Sequence, residues 1–188
     1  MSYVDDIQKV GHLTINEIIR ISNLYVPNSF KSCPWIYIDS QGRTLNHGTA
    51  VLETEELCSA YMSAYGPMHY HKLMRALDEN EFPYSDLAGG IEIYDWGCGQ
   101  AIGTMAVIEK FRQHGMLGKL RKVVLEEPSD VARDRAVIHV KKALEDNNAD
   151  VIAVSKYLPS DNGDNSNSIT SISVEQPTAI HIFSNILD

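Results

Sequence analysis

The sequence predicts an α/β fold built on a parallel β-sheet. From Ile91 onward, short apolar runs alternate with segments of helical periodicity, which is typical of parallel strands joined by right-handed helical crossovers. The run that ends at Asp95 leads into WGCGQA, and glycines at this place are typical of a tight turn from a strand into a helix. These two observations predict the core of the fold.

For the N-terminal part of the chain, the sequence predicts a helical segment that contains one β-hairpin. A helix is expected over Thr14–Tyr25, ended by Pro27 and Asn28, because apolar and small residues recur at helical spacing. The runs WIYID and LNHGTAVL flank SQGR, and they predict a hairpin from Trp35 to Leu52. The positions that form the apolar stripe of the first helix are Ile15, Ile18, Ile19, Ser22 and Leu24.

Two further helices are expected before a change of character in the chain. Helical periodicity in ETEELCSAYMSAY is interrupted at Gly66 and Pro67 and resumes in MHYHKLMRALDENEF, and proline is well tolerated in the first turn of a new helix. A stretch rich in proline, serine and glycine between Pro83 and Gly90 is the best candidate boundary. We therefore expect an N-terminal cap over residues 1–88 and a second domain over residues 89–188.

In the second domain, the sequence pattern predicts strands and helices in strict alternation. A polar stretch, LPSDNGDNSNSITS, precedes the last strand, AIHIFSN. In chain order, the expected elements before that stretch are strand Glu92–Asp95, helix Ile102–Gln113, strand Lys122–Glu126, helix Asp130–Leu144 and strand Asp150–Ser155.

Composition excludes several classes of protein. The 188 residues are 44% hydrophobic, which suffices for a folded core, but no apolar run approaches the roughly 20 residues of a membrane helix. The N-terminus does not resemble a signal peptide, so the cytoplasm is the default expectation. The net charge of -9 disfavours nucleic acid as a partner, although EKFRQHGMLGKLRK leaves a local basic patch open.

Cysteine and histidine patterns predict no metal site. The three cysteines lie far apart without a CxxC pair, so they are expected to be reduced, buried thiols. His69 and His71 would lie about 200° apart on a helix and cannot share an ion with good geometry. Cys98 lies inside the glycine turn, and no histidine is placed in sequence to activate it, so packing is the expected role.

Asp95 is the most informative residue of the turn. A carboxylate at the tip of a buried strand is costly unless it accepts hydrogen bonds or meets a cation. Gly97 and Gly99 allow backbone amides to approach a ligand at the carboxyl edge of the sheet. A dinucleotide-binding fingerprint would need a third glycine where Ile102 stands, which disfavours a nicotinamide-dependent oxidoreductase.

The segment Asp95-Trp96-Gly97-Cys98-Gly99 resembles the first motif of the class I S-adenosylmethionine-dependent methyltransferases, with Ala101 in place of the usual third glycine. The resemblance covers about Gly90 to Asp188. It implies a Rossmann-like parallel sheet of order 3-2-1-4 and S-adenosylmethionine as cofactor. It also implies that Asp95, Gly97, Cys98 and Gly99 surround the amino-acid end of that cofactor.

Further contacts follow from the same resemblance. An acid at the end of the second strand binds the ribose hydroxyls in this family, and by position that acid is Glu127, next to Glu126; a purely structural capping role is the alternative. Lys156, after the third strand, would lie near the adenine. Ser184 and Asn185, at the end of the fourth strand, would border both the cofactor and the methyl acceptor.

The helix upstream of the boundary offers two more candidates. Related enzymes often carry a covering helix at this place, so Tyr65 and His69 would line the cofactor pocket. The alternative is an ordinary amphipathic helix with a solvated histidine.

The resemblance implies a methyltransferase whose acceptor the sequence does not identify. Catalysis would consist mainly of alignment and removal of a proton from the acceptor, but no general base is evident. Family members continue with three more strands after the fourth, which are missing here. We therefore expect a fragment with little activity, or alternatively an inactive cofactor-binding or interaction module. The last strand would be an exposed edge and a possible dimer contact.

Overall fold

A computed structural model describes residues 2–28, 30, 42, 44, 45, 50–79, 84, 87, 89–155 and 177–183. They form an α/β fold of five helices and four strands, with a short 3-10 turn at Leu117–Lys119. The helices are α1 Tyr3–Gln8, α2 Ile15–Ser22, α3 Glu55–Glu79, α4 Ile102–Gln113 and α5 Asp130–Ala143. The strands are β1 Ile91–Trp96, β2 Leu120–Glu126, β3 Asp150–Val154 and β4 Thr178–Ile182.

The four strands form one parallel sheet in the order β3-β2-β1-β4. In the centre of the sheet, Tyr94 of β1 is aligned with Val124 of β2 and with His181 of β4. The predicted Rossmann-like arrangement and its strand order are confirmed. Because parallel strands end at the same edge, the carboxyl ends of β1 and β2 lie side by side.

Residues of β1 alternate between the two faces of the sheet. Ile91, Ile93 and Asp95 are buried, whereas the residues between them are half-buried. Side chains on a strand point to opposite faces in turn, so Asp95 shares its face with the isoleucines of the core. The strand therefore places a carboxyl group inside an apolar layer.

The N-terminal helices pack on the same core. The Thr14 hydroxyl caps α2 by accepting a hydrogen bond from the Glu17 amide at 3.3 Å, and Ile15, Ile18 and Ile21 are buried. α2 packs against α3. A Cβ atom added at Gly66 would lie 3.2 Å from Ile19 and 2.8 Å from the sulfur of Met62, so glycine at this position permits the close approach of the two helices.

Two sequence predictions for this part are wrong and one helix was not predicted. α3 is a single helix that contains Pro67, not two helices separated at Gly66; a proline removes one backbone hydrogen bond, and the packing of a long helix compensates for that loss. Leu24 lies beyond the end of α2 and is 64% exposed, so it is not part of the apolar stripe. The unpredicted helix, α1, begins with a reciprocal cap between Ser2 and Asp5.

Several predictions fall outside the described residues. Most of the expected hairpin from Trp35 to Leu52 and all of the polar stretch 158–171 belong to this group. The division into residues 1–88 and 89–188 stays a prediction. In the described part of the chain, no helix has the length and apolarity needed to cross a membrane.

Candidate functional site

The candidate site is the turn that connects β1 to α4. Gly97, Gly99 and Ala101 all have positive φ angles, of 63°, 53° and 64°. The turn is closed by a hydrogen bond of 2.7 Å from the Ala101 amide to the Cys98 carbonyl. A second hydrogen bond, 2.9 Å from the Cys98 amide to the Glu126 carbonyl, fixes the turn to the end of β2.

Asp95 lies beneath this turn and is 1% exposed. Its Oδ2 atom accepts hydrogen bonds from the amide and the hydroxyl of Thr104, at 3.1 and 2.8 Å. Its Oδ1 atom is buried and has no hydrogen-bond partner among the described residues. Burial raises the pKa of Asp95 to about 7, the Thr104 hydrogen bonds oppose that shift, and the nearby Glu127 adds to it.

Glu127 follows β2 and reaches across to the glycine turn. Its two carboxylate oxygens accept hydrogen bonds of 2.9 Å from the amides of Gly99 and Ser129. Burial raises its pKa, while these hydrogen bonds and the positive charge of Arg133 oppose the shift. The neighbouring Glu126 contributes its backbone carbonyl to the turn. Glu127 is therefore the acid whose side chain is held next to the turn.

Cys98 is a buried thiol. Burial, together with the charges of Asp95 and Glu127, raises its pKa well above the usual value. A thiolate is the nucleophilic form of cysteine, so this environment disfavours reactivity. The surroundings of Cys98 therefore support the packing role that the sequence predicts.

A second polar cluster holds the turn from the helix side; we call it the Gln100 network, and it consists of Gln100, Arg135, His139 and Tyr3. The Gln100 side chain donates to the Cys58 carbonyl at 2.8 Å and accepts from Arg135 at 3.2 Å. The buried guanidinium of Arg135 also donates to Ser59 and to both the carboxylate and the carbonyl of Glu55.

Aromatic contacts complete the Gln100 network. The Arg135 guanidinium lies 3.7 Å from the centre of the Tyr3 ring, a favourable cation–π geometry. His139 Nδ1 lies 3.0 Å from the Gln100 carbonyl and Nε2 lies 2.8 Å from the Tyr3 hydroxyl. Because a carbonyl only accepts, Nδ1 carries the proton and Tyr3 donates to Nε2. Burial lowers the pKa of His139 to about 4.

The structure brings together half of the residues predicted for the site. Asp95, Gly97, Cys98, Gly99 and Glu127 share the carboxyl edge of β1 and β2. Lys156, Ser184 and Asn185 lie outside the described residues. Tyr65 and His69 lie on α3, where both rings pack against Tyr61; their contact with a cofactor stays a prediction.

The Gln100 network was not predicted from the sequence, although α5 carries a signal for it. The buried positions of α5 recur at helical spacing, and Arg135 and His139 stand on that otherwise apolar stripe. A charged residue on a buried stripe needs partners inside the protein. A charged residue and a histidine on an otherwise apolar helical stripe are therefore the sequence signal that identifies Arg135 and His139 as members of a buried polar cluster.

A cavity of about 740 Å³ lies near the Gln100 network but is not part of the glycine turn. Tyr3, Tyr25, Ser59 and Arg135 line it together with residues of α1 and the start of α3. None of the carboxylates or glycines of the turn contributes to its wall. The cavity and the glycine turn are therefore separate features of the molecule.

Two features of the turn bear on ligand binding. Asp95 Oδ1 is a buried acceptor that lacks a donor, and a Cβ atom added at Gly99 would meet nothing within 4 Å. Among the described residues, no group of three or more His, Cys, Asp or Glu could hold a metal ion. The chain matches no family model and no curated protein.

Proposed function

We propose that the chain is an S-adenosylmethionine-dependent methyltransferase and that the glycine turn binds its cofactor. One observation carries the proposal: two buried carboxyl groups, Asp95 and Glu127, flank a glycine turn at the carboxyl ends of adjacent parallel strands. Ligands of doubly wound sheets bind at this edge. The motif that begins at Asp95 and the sheet order both support this class of ligand.

Each carboxyl group is suited to one end of such a cofactor. Asp95 offers an acceptor that lacks a donor inside the described part of the protein, and an ammonium group has three donors. Glu127 uses one lone pair of each oxygen for a backbone amide, and the remaining lone pairs are able to accept from two vicinal hydroxyls. Gly99 leaves space for the approach of the ligand to the backbone.

When bound, the cofactor supplies an activated methyl group on a sulfonium ion. The chain's own contribution is orientation, because a turn fixed from both sides holds its backbone and the two carboxyl groups in place without reorganisation. The carboxyl group of Asp95 releases its proton more readily when a cation lies beside it. We assign no general base and no acceptor.

Calorimetry with S-adenosylhomocysteine tests the proposal without any turnover. Asp95→Asn and Glu127→Gln are each expected to weaken binding by about 1 to 3 kcal/mol, the scale for loss of a charged hydrogen bond. Glu17→Gln is the matched control, because Glu17 pairs with Arg20 on the surface. Melting curves without ligand check that the variants are folded.

The pH dependence of the same binding provides a second readout. The pKa of Asp95 is about 7, and a ligand ammonium group binds the ionised carboxylate. Affinity is therefore expected to increase as the pH rises through 7, and Asp95→Asn is expected to abolish this increase. The proposal would be contradicted if both carboxylate variants bound S-adenosylhomocysteine as tightly as the parent does. Tighter binding of NAD than of S-adenosylhomocysteine would also contradict it.

A further inference from the structure

Strand β4 has one backbone edge without a partner strand in the described part of the chain. β4 pairs with β1 alone among the described strands. The amide of Thr178 donates to the Gly90 carbonyl on the β1 side, at 2.9 Å. Backbone polar groups alternate along a strand, so those of Ala179, His181 and Phe183 point to the open side.

The open edge of β4 is uncharged, whereas the other edge of the sheet is not. The residues of β4 include no Asp, Glu, Lys or Arg. β3, at the opposite edge, begins with Asp150 and borders a polar groove that also contains Lys141 and Glu145. Charged residues at an edge discourage pairing with other strands. Of the two described edge strands, β3 carries such a charge and β4 does not.

Apolar surface lies on both sides of the open edge. On the helix-covered side, a groove of about 280 Å³ is lined by Leu73, Leu77 and Val107 together with Ile180 and Ile182 of β4. Among the described residues, no Asp, Glu, Lys or Arg lines this groove. A strand added beside β4 would place alternate side chains into it.

The other face of the edge carries exposed aromatic rings. Phe183 is 49% exposed, and its ring stacks on Trp96 at 6.1 Å. Trp96 also donates to His181 Nδ1 at 3.1 Å. An added strand would therefore meet apolar contacts on both faces as well as unpaired backbone groups.

We propose that this edge binds β4 of a second copy of the same chain, in antiparallel orientation about a two-fold axis that passes beside His181. This register forms a hydrogen-bonded pair at His181, as the direction of its backbone groups requires. It places Phe183 of each copy beside the small side chain of Ala179 of the other. On the groove side, Ile180 lies opposite Ile182 of the second copy.

Charge favours a second copy at this edge over other parts of the surface. Each chain carries a net charge of -9, so two copies repel each other wherever acidic surfaces meet. The uncharged edge of β4 avoids this repulsion. A two-fold contact is also self-complementary, because the same residues serve both sides. The proposal does not depend on the proposed cofactor.

Sedimentation equilibrium measures the expected assembly directly. We expect the parent protein to have twice the 21.0 kDa mass of one chain, and Ala179→Lys to shift it to the monomer because it places a charge at the edge. Ile152→Lys is the matched control, since Ile152 is exposed on the same face of β3, at the opposite edge. A monomeric parent, or equal effects of the two substitutions, would overturn the proposal.

A cross-link tests the register and is independent of the Ala179 variant. Residues in a hydrogen-bonded antiparallel pair have Cα atoms about 5.5 Å apart, within the range that a disulfide spans. His181→Cys is therefore expected to give an oxidised dimer in non-reducing electrophoresis, and Ile152→Cys is expected not to. The parent controls for its native cysteines. Equal yields of oxidised dimer from His181→Cys and Ile152→Cys would refute the proposed register.

Discussion

The glycine turn has two polar sides that differ in how completely their groups are satisfied. On the helix side, the Gln100 network pairs Gln100, Arg135 and His139 with each other, with Tyr3 or with backbone carbonyls. On the strand side, a buried oxygen of Asp95 has no partner among the described residues. Buried polar groups are normally hydrogen-bonded. The helix side therefore holds the turn by internal hydrogen bonds, whereas the strand side is where we propose that a ligand donor binds.

The largest expected effect is loss of stability from the helix side. Arg135→Met should lower the free energy of unfolding by about 1 to 3 kcal/mol for each of Gln100 and Ser59, since both are buried and lose the donor that Arg135 provides. Urea denaturation measures this loss. Arg20→Met, which breaks an exposed ion pair with Glu17, should cost less than about 1 kcal/mol. Similar losses in the two variants would remove the distinction between the two sides.

The two sides also respond to pH in opposite directions. Asp95 has a pKa of about 7 in the folded protein against an ordinary value of 3.8, so the folded state binds more protons between these values and loses stability as pH rises. His139 has a pKa of about 4 against 6.5, so the unfolded state binds more protons and stability rises with pH in that window. The two contributions largely cancel in the parent protein.

Single substitutions separate these contributions. Relative to the parent, Asp95→Asn should make the free energy of unfolding rise more steeply with pH between the two pKa values of Asp95. His139→Asn should make it fall with pH between those of His139. The change is expected to reach up to about 4 kcal/mol for Asp95 and up to about 3 kcal/mol for His139 across the respective windows. Urea denaturation at a series of pH values measures both slopes, and equal slopes in the two variants would show that neither group titrates as assigned.

The same contrast explains which parts of the molecule the sequence predicted. The strand side depends on local order: an apolar strand, an acid and closely spaced glycines are contiguous, so Asp95, Gly97 and Gly99 were identified together. Glu127 was located by its place after the next strand. The strand order came from the resemblance that these residues carry.

The helix side depends on contacts between distant segments. Tyr3 and His139 are separated by 136 positions, and no local pattern relates them. Only the buried stripe of α5, with Arg135 and His139 on it, indicated that polar partners exist. The prediction of a helix boundary at Pro67 was wrong for the opposite reason. The local sequence indicates a helix end there, but packing along α3 keeps the helix continuous.

The smallest expected effect comes from Ala101, where the two sides of the turn meet. Ala101 has a φ of 64° and is completely buried, so its methyl group points into the protein. In Ala101→Gly, relief of the left-handed conformation, about 1 to 2 kcal/mol, opposes the loss of a buried methyl and the greater freedom of glycine in the unfolded chain. We expect the stability to change by less than about 0.5 kcal/mol and the affinity for S-adenosylhomocysteine to remain unchanged. Gly99→Ala is the contrasting variant. Gly99 also has a positive φ, so alanine is strained there, and its methyl group would enter the open space beside the turn, where the proposed ligand approaches, so we expect weaker binding. Tighter binding by Ala101→Gly, measured by calorimetry, would show that the alanine limits the approach of the ligand.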